Sequence, residues 1–108
     1  MTINKKRLLS MLALARKAGK ITRGEEGCEK AIRSGDALLV FVSRDASDNT
    51  KKKFGNKSKF YEVPIYSLFS KEEINRHMGL ANCATFVVTD QNFATKIIEI
   101  IKADGGLL

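Results

Sequence analysis

The sequence predicts an α/β chain folded as a three-layer α/β/α sandwich around a small mixed β-sheet. Three observations carry this expectation. Short apolar runs, above all Ala37 to Val42 (ALLVFV), have strand length and suit strands covered on both faces. The intervening segments place apolar residues at helical spacing, as Leu8, Leu12 and Ala15 do. Strand and helix patterns alternate along the chain, which sandwiches a mixed or mostly parallel sheet between helices. With 108 residues, and no repeat, linker or low-complexity segment, residues 1–108 are expected to form a single domain.

The first helix is expected from about Asn4 to Ala18, with Gly19 supplying its left-handed stop. An extended piece, Lys20 to Thr22, leads into RGEEGCEKAIRSG. In that segment Gly24 serves as N-cap and Gly35 ends the second helix. The first apolar strand follows at Ala37 to Val42. A polar loop, Ser43 to Asp48, then feeds a strongly basic helix from about Asn49 to Lys59, with Phe54 as its buried contact. The next strand is expected at Val63 to Ser67, where Pro64 near its start tolerates the lost donor. Ser70-Lys71-Glu72-Glu73 reads as a capping box opening a helix that stops before Gly79. Thr85 to Thr89 forms the last strand. Asp90 caps a final helix whose stripe is Phe93, Ile97, Ile98 and Ile101, and the tail Gly105 to Leu108 is expected to fray.

The charge is the informative part of the composition. The formal net charge is +7, and residues 1–60 hold fifteen basic side chains against six acidic ones, while residues 61–108 hold four against six. Such an excess favours polyanionic partners. The start KKRLLSMLALARKAG superficially imitates a signal peptide, but Ser10 breaks its short apolar run. It is read instead as the amphipathic first helix of a cytoplasmic protein, with no membrane partner.

Little in the chain suggests catalysis. Neither a GxGxxG turn after a strand nor a GxxxxGK[ST] loop is present, so no nucleotide cofactor is expected. Cys28 and Cys83 lie far apart without a CxxC, which suits small buried thiols rather than a disulfide or zinc site. His77 falls near the end of the fourth helix, where the dipole favours a cation. Asp45, Asp48 and Asp90 look like cap and turn residues. The chain is therefore expected to be no enzyme, to hold no metal and to take no small-molecule substrate.

On a helical wheel, Cys28, Ala31 and Ile32 make the buried stripe of the second helix, and Glu26, Lys30 and Arg33 face outward. Glu26 precedes Lys30 by four, the favourable order for a helical ion pair. Glu25 and Glu26 at the helix start also suit the positive end of its dipole.

Four stretches carry a resemblance: LLSMLALARKAGK, GEEGCEKAIRSGDALLVFVSRDASDNTKKK, VPIYSLFSKEEI and TFVVTDQNFATKIIEII. Together they cover almost the whole chain. They resemble the ribosomal L-seven-Ae and L-thirty-e family of kink-turn RNA-binding proteins, nearest to its bacterial YlxQ-type branch. The resemblance implies an α/β/α sandwich that presents a helix tip to a kinked RNA internal loop, through a Gly-x-Asn-Glu-x-x-Lys pattern.

Carried over, Gly24 matches the family's glycine and Lys30 its lysine. Glu26 stands at the asparagine position and Gly27 at the glutamate position. The family's apolar contact after the D-A-S loop falls near Lys51, and its variable loop corresponds to about Leu80 to Ala84. An ionised Glu26 can accept from base amines but cannot donate to guanine O6 or N7. The expected RNA-binding residues are thus Gly24, Glu25, Glu26, Gly27, Lys30, Arg33, Lys17, Lys20, Arg44, Lys51 and Ala84. The expected partner is structured RNA, ribosomal RNA and ribosomal proteins included. The alternative is a protein-interaction adaptor built on the same fold.

Overall fold

A computed structural model describes residues 3–103 of the chain. The expectation for the tail, Gly105 to Leu108, lies outside these residues. The elements in order are α1 (Ile3–Lys17), β1 (Ile21–Arg23), α2 (Glu25–Ser34), β2 (Leu39–Val42), α3 (Asp48–Phe60), β3 (Ile65–Tyr66), α4 (Lys71–Met78), β4 (Thr85–Val88) and α5 (Gln91–Ala103).

The sheet order is β1-β4-β2-β3. β4 runs antiparallel to both its neighbours, and β2 and β3 alone pair in parallel. The sheet is thus mixed, as expected, but mostly antiparallel. The reason is β4, which enters between β1 and β2 rather than adding at an edge. The expected extended piece at Lys20 to Thr22 becomes the edge strand β1 by pairing Ile21 with Val88 and Arg23 with Phe86.

Each inner strand alternates its side chains between two cores. Leu39, Phe41, Phe86 and Val88 face Leu8, Leu9 and Leu12 of α1, Ile74 of α4 and Ile97 of α5. Val40, Val42 and Val87 face Cys28 and Ile32 of α2 and Phe54 of α3. One outer layer is therefore α1, α4 and α5, and the other is α2 and α3. Phe41 stacks on Phe86 at 5.0 Å between ring centroids, which centres the larger core.

Local chemistry explains the boundaries. Ser70 and Glu73 form the expected capping box, and Asp90 accepts from the Phe93 N–H at 3.0 Å. α3 starts one residue earlier than expected because Ser47 caps it, accepting from the Thr50 N–H at 3.2 Å. The strand expected at Val63 to Ser67 shrinks to two residues. Pro64 gives only its carbonyl to the ladder, accepting from Val40. In α5 the buried side is Ala94, Ile97, Ile100 and Ile101, so Phe93 and Ile98 sit at its margin rather than in the stripe.

Candidate nucleic-acid interface

The strand register brings four chain segments to one end of the sheet. The Gly24 N–H, opening α2, donates to the Thr85 carbonyl at the start of β4. The Ser43 N–H, just past β2, donates to the Ala84 carbonyl in the loop before β4. α3 begins at the same end, because it leaves β2 by the loop Ser43 to Ser47.

The α2 tip has a distinctive start. Gly24 adopts φ 88° and ψ 148°, a conformation closed to side chains with a β-carbon, and it has no side chain to cap the helix. The first intrahelical bond runs from the Cys28 N–H to the Gly24 carbonyl. The backbone N–H groups of Glu25, Glu26 and Gly27 therefore point out of the helix start without a side-chain acceptor. Gly27 fits closely over β1, where a β-carbon would meet Thr22 Cγ2 at 3.1 Å.

The glutamates of this segment divide into two roles. Glu25 accepts from Thr50 Oγ1 at 3.0 Å and pairs with Lys53 Nζ at 2.7 Å. Lys53 also reaches Glu29 at 3.3 Å, and Lys57 approaches Glu29 at 3.7 Å. Ser47 donates in turn to Thr50 at 2.9 Å. This chain fastens the α2 tip to the start of α3. The Lys53 hydrogen bond holds the Glu25 carboxyl below the usual carboxylate range, against a smaller effect of burial. Glu26 takes no part in this network and is exposed, as is Lys30 one turn on. Among the described residues these two form no ion pair, so the bridge expected from their spacing is replaced by the Glu25 and Glu29 bridges to α3.

The other expected residues separate along the sheet. Arg44 lies in the β2–α3 loop, with its guanidinium 3.3 Å from Glu73 and largely exposed. Lys51 stands in the first turn of α3, over a groove with Val42, Ile65 and Tyr66. Ala84 is half-buried against the α2/α3 core. With Gly24, Glu25, Glu26 and Gly27, these residues surround one end of the sheet, and Lys30 extends the set along α2. Lys17, Lys20 and Arg33 lie elsewhere. The Lys20 carbonyl accepts from the Thr89 N–H beyond the far end of β4. Arg33 lies in the last turn of α2, roughly 12 Å from the tip at 1.5 Å per residue.

Cys28 and Cys83 are buried free thiols, and burial pushes the Cys28 thiol up to about 12. Asp45 accepts from the Lys71 N–H at 2.9 Å, joining the loop to α4. Among the described residues no His, Cys, Asp or Glu cluster could hold a metal ion, and no helix is long and apolar enough to cross a membrane.

The chain has clear relatives. It is 42% identical over 99 residues to the RNA-binding protein YlxQ of Enterococcus faecium, covering 92% of this chain and 95% of that one. It is 38% identical over 91 residues to RNA-binding protein YlxQ of Bacillus subtilis (strain 168), covering 84% and 91%. Its backbone superposes on the Giardia lamblia 15.5kD RNA binding protein with a TM-score of 0.79, covering 100% and 92% of the two chains. At 19% identity, that likeness concerns the fold. A family profile matches residues 6–99, and the chain belongs to the ribosomal protein L7Ae/L30e/S12e/Gadd45 family.

Proposed function

We propose that this protein is a non-catalytic RNA-binding protein that recognises structured, kink-turn-like RNA in the cytoplasm, in association with the ribosome. The observation that carries the reading is the α2 tip. Three backbone donors at a dipole's positive end stand beside the β2–α3 loop and the loop before β4, on a chain of net charge +7. Two YlxQ relatives named as RNA-binding support it.

In this reading the tip enters the distorted part of an RNA helix, where unstacked or non-Watson–Crick bases expose their edges. Glu26 accepts from guanine or adenine amines, and the N–H groups around Gly27 meet an oxygen of base or backbone. Lys30 on α2 and Arg44 and Lys51 on the flank take phosphates. Glu25 contributes by position, holding the tip to α3 through Thr50 and Lys53.

The test compares a hairpin RNA containing a kinked internal loop with a fully paired hairpin of equal length, by fluorescence anisotropy. The kinked RNA is expected to bind more tightly. A Lys30→Ala, Lys51→Ala double variant should weaken it and flatten its salt dependence by up to about 2 log units per log salt. Equal affinity for the two hairpins would refute the reading.

A further inference from the structure

A second basic feature lies outside the tip. The stripe Lys52, Asn56, Lys59 and Phe60 recurs at helical spacing along α3, and all four residues are exposed. It contains no acidic side chain. Of the other three α3 lysines, Lys51 belongs to the tip end of the helix, while Lys53 is engaged with Glu25 and Glu29, and Lys57 with Glu29. Asp48 stands one turn before Lys52, but neither Lys52 nor Lys59 forms an ion pair among the described residues.

The stripe ends on an aromatic group that folding does not use. Phe60 is 79% exposed, whereas Phe41, Phe54, Phe69 and Phe86 are all fully buried. Its ring stands edge-to-face with Tyr61, centroids 4.9 Å apart and planes 77° apart. The pair is held outward by the turn that closes α3. The Val63 N–H donates to the Ser58 carbonyl and the Glu62 N–H to Lys59, with Glu62 forced to φ 57°. Beside it, Tyr61, Glu62 and Pro64 face Arg33, Ser34 and Leu38 across a cleft between the ends of α2 and α3. Arg33, in the last turn of α2, lines this cleft.

We propose that the exposed face of α3 is a second RNA contact, a track for a single strand that leaves the structured site. Lys52 and Lys59 take phosphates along roughly 10 Å of helix, Phe60 stacks an unpaired base, and Arg33 lies across the cleft. Exposed aromatics beside lysines without ion pairs match this chemistry. An apolar protein partner would ask for a broad contiguous apolar patch, which two aromatic rings at the end of a lysine stripe do not provide. The track rests on the RNA reading of the previous subsection and lengthens its footprint.

The experiment uses the full chain and three RNAs. These are the kinked hairpin, the same hairpin with a single-stranded extension of about six nucleotides at either flank, and an unstructured oligoribonucleotide of about ten nucleotides. With wild type, an extension at one flank is expected to tighten hairpin binding. Phe60→Ala should abolish that gain, about five- to a hundredfold, and leave the unextended hairpin unchanged. Phe60→Tyr should retain it. An extension that adds nothing at either flank, or a Phe60→Ala protein that keeps the gain, overturns the proposal. If wild type ignores the kinked hairpin, the tip reading fails and the oligoribonucleotide decides the track alone. Binding lost in Phe60→Ala upholds it, and equal or absent binding overturns it.

Discussion

Gly27 and Gly55 both sit inside helices, and a β-carbon would meet different surroundings at each. At Gly55 in α3 nothing lies within 4 Å, whereas at Gly27 in α2 Thr22 Cγ2 would be 3.1 Å away. An unhindered helical glycine forfeits stability through the entropy of the unfolded chain. Gly55→Ala is therefore expected to stabilise the fold by about 0.5–1 kcal/mol. Gly27→Ala should fall short of that gain because β1 must give way beneath it, and denaturant midpoints of the two variants make the comparison. Residue roles were legible where they depend on neighbours in sequence. The wheel of α2 correctly buries Cys28, Ala31 and Ile32. It also aligns Arg33 with Lys30, yet it says nothing of distance along the axis, and Arg33 stands in the last turn of α2, beside the cleft to α3. Glu25 was legible as a helix-start acid only. Its bonds to Thr50 and Lys53 come from a separate helix, and no local pattern announces them.

The elements show the same division between local and distant causes. α4 was bounded correctly because Ser70 and Glu73 are three apart and satisfy each other. The loop before α3 offers Ser43, Asp45, Ser47 and Asp48 as possible caps, and only the chain's path selects Ser47. β1 is three residues between glycines, with no apolar pattern of its own. It becomes a strand because β4 lies beside it. The α4 cap also does more than end a helix. Glu73 accepts from the Ser70 N–H at 3.0 Å and bridges to Lys5 at 3.0 Å and Arg44 at 3.3 Å, joining α4 to α1 and to the β2–α3 loop. Burial pushes the Glu73 carboxyl up, but the Ser70 N–H and the Lys5 and Arg44 charges outweigh it, and the net shift is downward. A carboxyl whose folded value is depressed stabilises the fold fully above its unfolded value, about 4.3. That stability is lost as pH falls through the folded value. Glu73→Gln should therefore cost about 1–2 kcal/mol near neutral pH, and its gap from wild type should narrow below about pH 4. Chemical denaturation of both proteins across pH 3 to 7 measures this; a gap constant with pH would mean the carboxylate charge is not what matters.

At the scale of the whole molecule, charge order along the chain and charge order in space differ. The basic first sixty residues build both outer layers: α1, with Lys6, Arg7 and Arg16 exposed, lies across the sheet from α2 and α3. A surplus confined to half the sequence therefore does not make one basic face. Within the α2/α3 layer neutralisation is uneven, since Lys53 and Lys57 are held by Glu25 and Glu29 while Lys51, Lys52 and Lys59 carry exposed charge on the same helix. If RNA binds through the α2/α3 layer, salt must act through those α3 lysines and not through net charge alone. Each phosphate contact contributes about 0.7–0.9 to the slope of log affinity against log salt. Replacing Lys51, Lys52 and Lys59 together by Gln should lower the slope by about 2 for the extended kinked hairpin. Replacing Lys6, Arg7 and Arg16 by Gln removes the same charge from the opposite layer and should leave the slope unchanged. Equal losses from both triples would mean that the molecule attracts RNA as a diffuse cation. In that case neither the tip nor the α3 stripe defines where RNA lies.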